Sequence, residues 1–144
     1  MKIAVIRITG QVGLKKPIVE TLHRLRLRRK YACVVFDTLP NRSEGKGTSK
    51  PSKEILGMIK KVRDFVAFGE IDDATYKELV EKRGQKDKNT LPSRSEGKGT
   101  SGKLKPFFRL HPPRGGIESK KHFGVGKGVL GENKKMNELV GRML

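Results

Sequence analysis

Two stretches of this chain carry residues that could do chemistry. The first is Arg24, Arg26, Arg28, Arg29 and Lys30, closely spaced cations just after an apolar-periodic segment. The second is residues 104–116, Leu-Lys-Pro-Phe-Phe-Arg-Leu-His-Pro-Pro-Arg-Gly-Gly. A guanidinium can grip phosphate with two parallel hydrogen bonds or lie flat on a base, and Phe and His offer stacking faces. Pro106, Pro112 and Pro113 forbid a helix in the second stretch. It is therefore expected to run extended, with Phe107 and Phe108 on opposite sides and Arg109, His111 and Arg114 displayed. Gly115 and Gly116 lack side chains, so the backbone there can approach another surface closely. This chemistry suits the grooves of a folded RNA. On local chemistry alone, a proline-rich connector is an equal alternative. For the arginine cluster the plain reading is a helix end, where cations are favoured by the dipole. Four arginines so close exceed what an end requires, which points to phosphate.

Other chemistries fare poorly. His23, His111, His122 and Cys33 have no metal-ligand spacing, and no nucleophile–base or paired-acid arrangement is suggested. An enzyme is a weak hypothesis, and no cofactor is expected. Residues 126–131, GKGVLG, fit G-x-G-x-x-G, but too little chain follows to build the strand–helix–strand unit that a dinucleotide site needs. Glycines threading near RNA beside Lys120 and Lys121 are the better reading of that region. The whole-chain balance agrees: 33 Lys and Arg face 15 Asp and Glu in 144 residues, a formal charge of +18. Such an excess repels itself and calls for a polyanion. Nucleic acid is the commonest such partner, with an anionic membrane surface as the rival. No apolar run approaches the roughly 20 residues that span a bilayer, and no signal-peptide pattern opens the chain. The reading taken is nucleic acid, with neither a membrane nor a small-molecule substrate as partner. Cys33 sits in an apolar run and reads as a buried thiol in a reducing, cytoplasmic setting.

The elements that must position these residues follow from periodicity. Residues 2–9 and 31–36 read as strands, as do 64–71. Pro17 opens a helix with Ile18, Leu22 and Leu25 on one face, and a second helix lies within 51–62. The first 71 residues thus predict strand, helix, strand, helix, strand: an α+β arrangement with two helices on one sheet face. Asp72 or Asp73 is expected to cap a third helix, with Tyr76, Leu79 and Val80 inward and Gly84 at its end. A terminal helix over 132–144 presents Met136, Leu139, Val140, Met143 and Leu144 as one stripe, which must cover the body or a partner. The domain reading is a core over 1–71 and an extension over 72–144. The extension holds a helix, a linker at 85–103, an extended RNA-binding stretch at 104–131 and the terminal helix. Residues 39–49, LPNRSEGKGTS, recur at 91–101 as LPSRSEGKGTS. With so little apolar surface neither copy can fold alone, so 39–50 reads as an inserted linker.

Four segments carry a family resemblance: IAVIRITGQVGLKKPIVETLHRLRLRRKYACVVFDT, EILGMIKKVRDFVAFGEI, LKPFFRLHPPRGG and GENKKMNELVGRML. Together they resemble the L-thirty family of large-subunit ribosomal proteins in its long archaeal form, over about two-thirds of the chain. The resemblance implies a ferredoxin-like βαβαβ core with a three-stranded antiparallel sheet. It also implies a cytoplasmic, structural role on large-subunit ribosomal RNA, near the attachment region of the 5S RNA, among neighbouring ribosomal proteins. By the same likeness RNA contacts fall on Arg7, Lys15, Lys16, the Arg24, Arg26, Arg28, Arg29, Lys30 cluster, and on Phe108, Arg109, His111, Pro112, Pro113, Arg114, Gly115 and Gly116. Two departures stand out. One linker copy intervenes before the second helix, and the other replaces a helical segment of the long form. The rival reading is a free-standing regulator binding messenger RNA or DNA with the same fold. A ribosomal protein is expected to keep an extended tail without RNA, and a regulator a compact body.

Overall fold

A period of two along β1 (Lys2–Arg7) sets the whole architecture. Ala4 and Ile6 point to one face of the sheet and Val5 to the other, and all three are fully buried. A strand buried on both faces needs cover on both. The computed structural model, which describes residues 2–37, 53–85, 104–124 and 128–144, provides it. Helices α1 (Lys16–Arg24) and α2 (Lys53–Lys61) bring Leu22, Ile59 and their neighbours onto the Val5 face. Helices α3 (Asp73–Arg83) and α4 (Met136–Met143) bring Leu79, Met136, Leu139, Val140 and Met143 onto the Ala4–Ile6 face. The terminal apolar stripe thus returns to the body.

Strands β2 (Ala32–Asp37) and β3 (Val66–Ile71) flank β1, both antiparallel to it, with Ala4 opposite Val35 on one side and Gly69 on the other. The sheet does not stop at the three strands expected. Strands β4 (Phe108–Arg109), β5 (Glu118–His122) and β6 (Gly128–Glu132) extend it to six, in the order β4-β2-β1-β3-β6-β5. It is a mixed sheet, because β6 runs parallel to β3. None of the three added strands carries a legible alternation: β4 is two residues among prolines, β5 reads ESKKH and β6 reads GVLGE. The glycines read as threading near RNA are partly this buried strand. The terminal helix begins at Met136 rather than 132.

Glycine at 69 has a steric reason: a Cβ there would lie 2.2 Å from the Asn133 carbonyl, where the chain leaves β6. Gly84 follows α3 with φ −63, so it is not the left-handed terminator expected; a Cβ would meet the Val80 carbonyl at 2.2 Å. Asp72 precedes α3, but its side chain makes no cap bond. Instead Asn137 Nδ2 donates to its carboxylate at 2.8 Å, and its own N–H donates to Asn137 Oδ1 at 3.0 Å, tying α3 to α4. The linker segments expected at 39–50 and 85–103 lie outside the described residues, apart from Gln85, whose carbonyl accepts from Lys105 N–H at 2.9 Å.

Cys33 is wholly buried, and burial pushes its thiol up to about 12. A raised folded pKa adds stability that is whole below the unfolded thiol's pKa, about 8.5. That stability is lost as pH rises toward 12. At pH 8, iodoacetamide is expected to label the native protein far more slowly than the urea-unfolded chain; equal rates would place the thiol at the surface.

Candidate nucleic-acid interface

The basic cluster is presented by the way α1 ends. Arg26 N–H donates to the His23 carbonyl at 2.9 Å and Leu27 N–H to the Leu22 carbonyl at 2.8 Å. This pairing, with Leu22 and Leu27 both buried, is a Schellman termination. Its left-handed position is usually glycine, yet here it is Arg26, at φ 61. Tyr31, at the other end of the loop, is also left-handed at φ 61. Holding a side chain there costs stability, of order 1 kcal/mol. Arg26→Gly is therefore expected to raise the thermal midpoint slightly while weakening RNA binding, as measured by melting and filter binding. A lowered midpoint would mean that the side chain serves the fold.

Arg7 holds this loop from beneath. It is 0% exposed. Its guanidinium donates to the carbonyls of Thr9 (2.9 Å), Leu27 (2.8 Å), Arg28 (3.0 Å) and Gly10 (2.8 Å), and burial lowers its pKa. Gln11 Nε2 adds a second bond to the Arg28 carbonyl at 2.6 Å. Arg7 is thus corrected from an RNA contact to a positioning residue: its donors are spent on the backbone that carries Arg26, Arg28, Arg29 and Lys30.

The two chemical stretches meet. Antiparallel pairing of β4 with β2, Ala32 opposite Arg109 and Cys33 opposite Phe108, lays the proline-rich segment beside the loop. Between them lies a groove of about 620 Å³, lined by Arg26, Arg28, Arg29, Lys30, Ala32, Phe107, Arg109 and Leu110. The Arg109 guanidinium lies over the Phe107 ring, 5.9 Å from its centre. Phe107 and Phe108 do fall on opposite faces, but Phe108 is the buried one, inside the α3–α4 core. Phe108 offers RNA no ring, and Pro113 is likewise buried. Phe107, not Phe108, is the groove's aromatic. The sequence alternation could show that the two rings part company but not which one was covered.

The remaining expected residues scatter. Lys15 and Lys16 lie exposed at the start of α1; Arg24 is exposed and paired with Glu20 at 2.6 Å. His111, Pro112 and Arg114 are exposed, but this segment has a structural task as well. His111 N–H donates to the Met143 carbonyl and Arg114 N–H to the Arg142 carbonyl, each at 3.0 Å, so the segment caps α4. Gly115 and Gly116, at φ 79 and 71, turn the chain around Arg142, which donates to the carbonyls of Arg114 (2.8 Å) and Gly116. The close approach expected of these glycines is to the chain's own helix. Arg142 carried no signal beyond a cation in a last helical turn. Lys120 and Lys121 are exposed on β5, at the sheet edge opposite β4. With strands about 4.8 Å apart, that is roughly 24 Å from the groove. The run 104–131 is therefore divided between two edges. Beside β5, His122 Nε2 lies 3.1 Å from Asp64.

Among the described residues no group of His, Cys, Asp or Glu could hold a metal, and no helix is long and apolar enough to cross a membrane. No family profile matches the chain. Individual proteins do. A large ribosomal subunit protein uL30 from Pyrobaculum islandicum is 37% identical over 98% of this chain and 93% of its own length. One from Methanococcus maripaludis is 36% identical over the whole of both chains. This chain belongs to the uL30 family. The uL30 protein of Nanoarchaeum equitans is 36% identical, covering 98% of this chain and 97% of its own. The Methanococcus alignment extends over 168 positions to take in all 144 residues here. That uL30 protein thus has stretches with no counterpart in this chain.

Proposed function

We propose that this chain is a structural, non-enzymatic constituent of the large ribosomal subunit that binds ribosomal RNA through the groove between the 26–31 loop and β4. The observation that carries the reading is convergence: Arg26, Arg28, Arg29 and Lys30 come from one end of the chain and Arg109 from the other, and they meet around one aromatic ring. Lys15, Lys16, Arg24, His111, Pro112, Arg114, Gly115 and Gly116 stand as further contacts, and Lys120 and Lys121 as a separate contact at the opposite sheet edge. The neighbourhood of the 5S RNA, and a ferredoxin-like ancestry for the inner strands β2, β1 and β3, rest on the family resemblance. Tail shape does not favour this reading over a free-standing regulator, because the described residues after 103 fold onto the sheet. Family membership is what supports it.

If about six to ten phosphates are contacted, affinity for a large-subunit ribosomal RNA fragment is expected to fall by about 10³ to 10⁵ between 50 and 200 mM salt. A flat salt response in that titration would contradict an electrostatic footprint.

A further inference from the structure

The groove is concave, and its cations do not line it evenly. Arg28, Arg29 and Lys30 come from the loop, while Phe107, Arg109, Ala32 and Leu110 supply a largely apolar and planar side. At about 620 Å³ it has the size of a pocket for a small molecule. A paired RNA helix cannot use such a hollow. Its phosphates lie on a convex surface and its base faces are covered by their neighbours. It would rest on the rim and leave Phe107 without a role. A nucleotide turned out of the helix has both features the groove can hold: a free flat face and a phosphate on a short tether. The guanidinium of Arg109 stands 5.9 Å from the centre of the Phe107 ring, within cation–π range, so the ring and the cation together offer an incoming base one platform.

Resting on the RNA-binding reading above, we infer that the groove takes one unpaired nucleotide of the RNA, its base stacked on the Phe107–Arg109 platform and its phosphate held by Arg28, Arg29 and Lys30. Selectivity is for an unstacked base rather than for its identity, since every base has a flat face. The loop is pre-set for this, because Arg7 fixes the Leu27 and Arg28 carbonyls before RNA arrives.

The test uses the full chain and two RNA hairpins of matched length, one fully paired and one with a single bulged 2-aminopurine. The bulged hairpin is expected to bind at least about fivefold more tightly, with quenching of 2-aminopurine fluorescence as the base stacks. Phe107→Leu and Arg109→Lys are each expected to bring the ratio of the two affinities close to one and to abolish the quenching. Arg109→Lys keeps the charge and alters an exposed side chain, so it separates stacking from charge even if Phe107→Leu disturbs the core. Equal binding of both hairpins by the unaltered protein overturns the inference and leaves the RNA reading standing. So does a ratio that survives Arg109→Lys. Binding to neither hairpin overturns the RNA reading itself.

Discussion

Replacing Arg7 by alanine is expected to lower the unfolding free energy by about 4 kcal/mol, without Arg7 ever touching RNA. The guanidinium serves four carbonyls at 2.8–3.0 Å from a position with no solvent exposure. Hydrogen bonds to a charged group contribute about 1.5–3 kcal/mol each, and a buried acceptor left alone costs about 1–3 kcal/mol. The contributions are not additive, and partial collapse of the loop lets some carbonyls reach water, which brings the sum down to the stated figure. Arg7→Lys keeps the charge, but a single ammonium cannot span Thr9, Gly10, Leu27 and Arg28 together. It is expected to recover less than half of the loss. Urea denaturation of the three proteins measures this directly. If Arg7 were an RNA contact, both variants would melt like the parent and differ only in affinity.

Much of the fold was legible because its inner part obeys simple periods. The apolar run through Ala4, Val5 and Ile6 reads as a strand buried on at least one face, and Ile18, Leu22 and Leu25 mark one face of α1, without help from the rest of the chain. The outer strands were not legible, for a physical reason. β4, β5 and β6 are short segments whose pairing is set by where the body leaves edges open. Gly128 and Gly131 stand in β6 because a side chain would not fit there: a Cβ on Gly128 would lie 2.2 Å from the His122 carbonyl and one on Gly131 2.9 Å from the His122 ring. Nothing in the local sequence reports a neighbour. The site was legible by residue type but not by burial. Arg28, Arg29, Lys30 and Arg109 were identified as cations and do line one groove. Arg7 looks no different in sequence, yet its place at the end of a buried strand turns it inward. Phe107 and Phe108 are identical in type and adjacent, and only the pairing of Cys33 with Phe108 decides which of them lines the groove.

Position around the groove, rather than the overall charge of +18, is expected to govern RNA affinity. Arg28→Ala, Arg29→Ala and Arg109→Ala combined remove three cations from the groove. Lys60→Ala, Lys61→Ala and Lys134→Ala combined remove three exposed cations elsewhere, none of which lines it. Both proteins lose the same charge and, being altered only at exposed side chains, are expected to melt close to the parent. At 100 mM salt the groove triple is expected to bind a large-subunit ribosomal RNA fragment about 10²- to 10³-fold more weakly. That follows from about 1 kcal/mol or more for each charge-assisted phosphate contact. The slope of log affinity against log salt should also shrink by about 3. The lysine triple is expected to lose less than about tenfold. The deciding measurement is the salt titration of these two triples side by side. A steep loss and a shallower slope confined to the groove triple are expected of a groove that holds the RNA. Equal losses and equal slopes would contradict that, leaving a diffuse cloud of charge in place of a site.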